Sequence, residues 1–136
     1  MKPLKEIYNL SNDLSGLDYG LIHWYNELID KSYDNLTTAD ACKMIRQNVL
    51  KNIAIKKVIE LFLKDPYDGE FFDGGLLDVL NSLDISSLGM LYIEKIKTVL
   101  RVIQQEYIDF DWFDDEAKNK YAKNIDLMIT KIESME

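Results

Sequence analysis

Ile55, Val58, Ile59, Phe62 and Leu63 recur at three- and four-residue spacings, while Lys56, Lys57, Glu60 and Lys64 fill the positions between them. That is the period of a helix with one inward stripe. Pro66 then bars its continuation, because the residue before a proline is pushed out of the helical region. The same period returns almost everywhere else. Leu4, Ile7, Tyr8 and Leu14 suggest a short first helix that stops near Ser15-Gly16. Leu21, Trp24, Tyr25, Leu28 and Ile29 mark a second helix over about residues 18 to 33. Thr37 can cap a third, answered by Asp40 three positions on, with Ala41, Met44, Ile45 and Val49 inward. Lys51-Asn52 breaks or bends the run into the next helix.

Leu76, Leu77, Val79, Leu80 and Leu83 make a short segment that is apolar on nearly all sides, which predicts a buried central helix. Asp84 or Ser86 can cap the next helix, which carries Leu88, Tyr92, Ile96, Val99, Leu100, Ile103 and Tyr107. Asp109 to Asp114 interrupts it. Asp114 or Asp115 then starts the last helix, with Ala117, Tyr121, Ile125, Met128, Ile129 and Ile132 inward. No stretch sustains strand alternation and no Asn-Gly hairpin turn occurs. The expected fold is all-α: a compact, single-domain bundle of about six to seven helices over residues 1–136.

A chain of 136 residues can bury about two-thirds of its unfolded surface, so it needs neither disulfide nor metal to fold. Cys42 is the only cysteine, which rules out an intrachain disulfide and fits a reducing compartment. The N-terminus MKPLKEIYNL has no apolar core or small-residue cleavage site, so no signal peptide is expected. No apolar run approaches the ~18 residues a membrane helix needs. The expected location is the cytoplasm, without a membrane partner.

The net charge of −8 argues against nucleic acid as a partner, since phosphate contact needs a basic patch. Its distribution is uneven. Asp65, Asp68, Glu70, Asp73 and Asp78 occupy residues 65–78 with no cation among them. Glu106, Asp109, Asp111, Asp114, Asp115 and Glu116 occupy residues 106–116, again without a cation. These two stretches total −11, so the rest of the chain sums to +3. A localised negative field attracts cationic partners and speeds their association.

Neither stretch reads as a metal loop or a catalytic centre. An EF-hand frame from Asp65 puts Glu70 where the invariant Gly belongs. A frame from Asp109 puts Asp114 there, and Lys120 where the bidentate Glu belongs. Zinc would have one His and one Cys, nineteen residues apart. His23 lies beside Trp24 in an amphipathic helix, where a packed or surface His is the default. Cys42 lies near an apolar helix face, as small core filling. No nucleophile elbow, Walker loop or dinucleotide fingerprint occurs. No metal, no cofactor and no enzyme activity are therefore expected.

The run DFDWFDDE, residues 109–116, places three aromatics among its acids. At least one of Phe110, Trp112 and Phe113 should plug the core, but three within four residues are hard to bury together. An exposed ring among carboxylates suits a basic protein surface: the ring anchors and the charges steer. Asp109, Asp111, Trp112, Asp114 and Asp115 are the expected contacts, with Asp68, Glu70 and Asp73 as weaker candidates. The rival readings are an acidic nucleic-acid mimic, an adaptor that binds a basic host protein, and a small metal-assisted enzyme.

An ordered string of short motifs runs from Leu36 to Leu83. It comprises Leu36-Thr37-Thr38-Ala39-Asp40, Ile45-Arg46-Gln47-Asn48, Lys64-Asp65-Pro66, Glu70-Phe71-Phe72 and Gly74-Gly75-Leu76-Leu77. This string resembles one branch of the immunity proteins of bacterial contact-dependent growth inhibition systems. It departs in one place: Gly75 stands where that family often has an acid. The resemblance implies a protein that protects its own cell by binding the C-terminal domain of a secreted toxin. Many such toxins are nucleases with basic grooves, which an acidic inhibitor can block stoichiometrically. It also implies that the 64–75 turn is chiefly structural, with Phe71 and Phe72 anchoring it. Specificity should then lie in 106–116.

Overall fold

The computed structural model describes residues 2–8, 10 and 19–136. These form seven α-helices with no sheet: α1 (Leu4–Ile7), α2 (Tyr19–Ile29), α3 (Thr38–Arg46), α4 (Lys51–Lys64), α5 (Gly75–Asn81), α6 (Met90–Glu106) and α7 (Asp115–Glu133). Short 3-10 turns occupy Tyr33–Asn35, Ile85–Ser87 and Tyr107–Asp109. The all-α bundle expected from the sequence is the fold observed. The expected helix stop near Ser15-Gly16, the inward Leu14 and a start of α2 at residue 18 lie outside the described residues.

Helix boundaries follow local chemistry. The Thr37 hydroxyl accepts from the Asp40 amide and the Asp40 carboxylate accepts from the Thr37 amide, each at 3.0 Å, forming a reciprocal capping box. Lys31 holds the same carboxylate at 2.7 Å. α3 ends at Arg46, before Val49, because Asn48 and Leu50 take left-handed φ values of 54° and 47°. The chain folds back there, laying α4 against α3. α4 stops at Lys64, where Asp65 is extended ahead of Pro66. α2 ends at Ile29, short of the expected residue 33, and the 3-10 turn takes over at Tyr33. Asp84 caps the turn Ile85–Ser87, whereas α6 starts after Gly89 with no side-chain cap.

The main core joins the stripes of five helices, α3 giving Ala41 and Cys42. Val58, Ile59 and Phe62 come from α4, and Leu76, Leu77 and Leu80 from α5. Ile93, Ile96, Leu100 and Ile103 come from α6, and Tyr121, Ile125, Met128 and Ile132 from α7. Each such side chain contributes about 1.5–3 kcal/mol on burial. α5 is the central element its composition predicts: Leu76, Leu77 and Leu80 are wholly buried. A smaller cluster of Leu4, Leu28, Leu36, Met44 and Ala54 ties the N-terminal part to α3 and α4.

Candidate functional site

The two acidic stretches meet on one face, around the turn between α4 and α5. The turn is held largely by its own polar groups. The Asp65 carboxylate accepts from the Tyr67 amide at 3.1 Å, and the Gly74 amide donates to the Tyr67 carbonyl at 2.6 Å. Leu76 donates its amide to the Asp68 carbonyl at 3.0 Å. Gly74 has φ 80°, and a Cβ there would lie 2.4 Å from the Tyr121 ring. A Cβ on Gly69 would lie 2.1 Å from the Phe72 carbonyl oxygen. Both glycines are thus required by close approach.

The second stretch docks on this turn through aromatic rings. Tyr67 stacks on Phe110 with centroids 4.4 Å apart and planes within 10°. Trp112 meets Phe110 edge-on at 4.6 Å and Tyr121 at 4.8 Å. The Trp112 indole donates to the Tyr107 carbonyl at 2.7 Å, and the Tyr121 hydroxyl donates to the Pro66 carbonyl at 2.7 Å. Burial first, then the nearby Tyr67 and Asp65, raises the Tyr121 hydroxyl pKa far above its ordinary value. The ring pairs add about 0.5–1.5 kcal/mol each beyond area burial. This cluster clamps residues 107–112 to residues 66–74.

The face places the sequence candidates in different roles. Asp68 is half-buried and accepts from the Thr38 hydroxyl at 2.5 Å and the Gly69 amide at 2.8 Å. Glu70 pairs bidentately with Arg46, with one contact at 3.1 Å. These two carboxylates are engaged within the chain. Asp114 caps α7, accepting from the Ala117 amide at 2.8 Å. Among the described residues, the exposed Asp73, Asp109, Asp111, Asp115 and Glu116 form no ion pair. Asp109 lies toward Tyr67, whose hydroxyl pKa is raised by burial first and then by Glu106, Asp109 and Asp65.

Trp112 is half-buried in the aromatic cluster, and the ring left in solvent is Phe113, 93% exposed. The sequence carried a signal for this. Phe113 precedes the helix cap Asp114, where an apolar residue packs against the fourth helical position. That position is Lys118, so Phe113 has no apolar partner there. Phe71 and Phe72 depart from their expected anchoring role. They are 75% and 46% exposed, because Tyr67 and the glycine contacts already fix the turn. Two adjoining depressions, of about 260 and 530 Å³, share Phe72, Asp73, Phe113 and Ala117 in their walls.

The groups weighed for catalysis lie elsewhere. His23 is exposed and contacts Glu27 at 3.0 Å. Cys42 is buried, and that burial pushes its thiol up to about 11, away from nucleophilic use. Among the described residues, no group of three or more His, Cys, Asp or Glu could hold a metal ion. None of their helices is long and apolar enough to cross a membrane.

An all-α scaffold that presents exposed rings among unpaired carboxylates has the character of a protein-binding module. The chain belongs to the CDI immunity proteins: the model of that family matches residues 6–99, more than half of the sequence. No curated protein matches it. Membership makes it an immunity protein against a CDI toxin, which it binds as its cognate partner. The match takes in the α4–α5 turn and ends before residues 106–116.

Proposed function

We propose that this protein neutralises its toxin through the face built by residues 69–75 and 107–117, and that the toxin presents a basic surface there. The observation that carries this reading is the union of the two acidic stretches around three exposed phenylalanines. Phe113, Phe71 and Phe72 supply the apolar anchors that dominate interface energy. Asp73, Asp111, Asp114, Asp115 and Glu116 supply the field that draws in and orients a cationic partner. Residues 106–116 lie beyond the family match, as a specificity element should.

A nuclease fits best as the toxin, because its phosphate-binding groove is the commonest basic concavity an acidic inhibitor can fill. Inhibition is stoichiometric occupancy in the cytoplasm without turnover, with the C-terminal toxin domain as partner and the whole chain acting as one domain. The exposed rings favour this over a nucleic-acid mimic, which would rely on regularly spaced acids with few apolar anchors.

The test is calorimetric titration with the C-terminal domain of its cognate CDI toxin. Asp111→Lys plus Asp115→Lys leaves the Asp114 cap intact and should weaken binding by about 100-fold or more, since like charges across an interface cost several kcal/mol. Wild-type affinity in that double variant would reject the face.

A further inference from the structure

We infer that the smaller depression is a receptor for one arginine side chain of the partner, and that Lys120, on its wall, covers the Phe72 ring until the partner arrives. The inference rests on the proposed binding face and names the chemistry that the face recognises. Phe72, Asp73, Phe113, Asp114, Glu116 and Lys120 stand around the depression, with Tyr121 among the residues that line it. Its volume, about 260 Å³, falls below the ~300–1,000 Å³ usual for small-molecule sites and suits a single side chain.

The chain already displays the contact such a site would make. The Lys120 ammonium sits 4.5 Å from the centroid of the Phe72 ring. On the neighbouring ring, the Arg46 guanidinium lies 5.2 Å from Phe71, so both exposed rings of the turn carry a cation. Arg46 is held by the bidentate Glu70 and cannot leave cheaply. Lys120 is held loosely: its carboxylate contact is Asp78 at 3.9 Å, and both side chains are about half exposed. Such a contact contributes little and exchanges readily.

An arriving arginine makes better use of the same walls. Its planar guanidinium stacks on aromatic faces, is weakly hydrated, and offers five donors in a fixed fork. Asp73 and Glu116 form no ion pair among the described residues, and Asp114 uses Oδ1 for its cap, leaving Oδ2 available. Phe113 brings a second ring to the rim. Lysine offers a point charge with neither planarity nor a fork, so the site should prefer arginine. Displacing Lys120 returns its ammonium to water, a small cost for a side chain already half exposed.

The test uses N-acetyl-arginine methylamide and its lysine counterpart as probes, read by amide shifts in two-dimensional NMR. It compares wild type with Lys120→Gln and with Lys118→Gln, which removes the same charge two residues away but does not line the depression. Lys120→Gln should bind the arginine probe about two- to fivefold tighter than wild type, the range of one exposed cation–π contact. Shifts should centre on Gly74 and Ala117, the lysine probe should bind more weakly, and Lys118→Gln should match wild type. Equal gains in both variants would assign the effect to bulk charge and overturn the inference. Equal binding of the two probes, or no shifts in Lys120→Gln up to probe solubility, would overturn it too. If Asp111→Lys plus Asp115→Lys still abolishes toxin binding in that event, the face stands and the receptor alone fails.

Discussion

Gly74→Ala should be among the most damaging single-methyl changes available in this chain. The perturbation has two parts. Gly74 has φ 80°, a left-handed conformation that costs a residue with a Cβ about 1–2 kcal/mol. The new methyl would also lie 2.4 and 2.8 Å from two carbons of the Tyr121 ring. That ring cannot swing away freely, because Tyr121 is 2% exposed and its hydroxyl holds the Pro66 carbonyl. Overpacking of this kind costs about 1–3 kcal/mol, so the total comes to about 2–5 kcal/mol. Urea denaturation measures it as a lower midpoint with unchanged slope. A double-mutant cycle separates the parts: with Tyr121→Leu in place, only the conformational share of about 1–2 kcal/mol should remain. A loss below about 0.5 kcal/mol for Gly74→Ala alone would refute the reasoning, since surface changes away from special features stay within that range.

Further outcomes are expected at three residues. Cys42, with its thiol raised to about 11 from 9.0 by burial, should resist alkylation at pH 8 in the folded protein and react at an ordinary rate in urea. Because the folded state then holds that proton longer than the unfolded state, stability should fall as pH rises from about 9 to 11, and Cys42→Ala should flatten that fall in pH-dependent urea titrations. For Asp40, burial pushes the carboxyl up, but Lys31 and then the Thr37 amide outweigh it and hold the pKa below the ordinary aspartate value. Its contribution is therefore complete above about pH 4 and lost as pH falls through the depressed value, and Asp40→Asn should lose roughly 1 kcal/mol at pH 7 and show a shallower acid limb. Gly89→Ser should raise stability by about 0.3 kcal/mol in thermal melts, because the start of α6 lacks a side-chain cap and the space around Gly89 is open.

Helices were largely legible in the sequence because their periodicity reports which face is buried. The Thr37–Asp40 box, the stop at Pro66, the burial of Leu76, Leu77 and Leu80 in α5 and the start of α7 at Asp114 follow from side-chain chemistry within a few residues. The face was legible in part. Both acidic runs stand out as charge, but nothing in the sequence pairs residue 67 with 110 or 66 with 121, because at least one partner of each contact lies in a loop that has no period. Loop backbone also decides which rings point outward. Gly74 turns the chain with φ 80°, and the turn Tyr107–Asp109 directs Phe110 and Trp112 inward, leaving Phe71, Phe72 and Phe113 in solvent. Likewise, the engagement of Asp68 by Thr38 and of Glu70 by Arg46 depends on α3 lying beside the turn, 24 to 30 residues away in the chain.

Hydrogen–deuterium exchange of the protein with and without its toxin domain probes the binding face most directly. Residues 69–75 and 107–117 should gain protection together on complex formation, while the surface of α4 stays unchanged. Protection confined to α4 or to the N-terminal helices, with both loops exchanging as in the free protein, would contradict toxin capture by the acidic aromatic face.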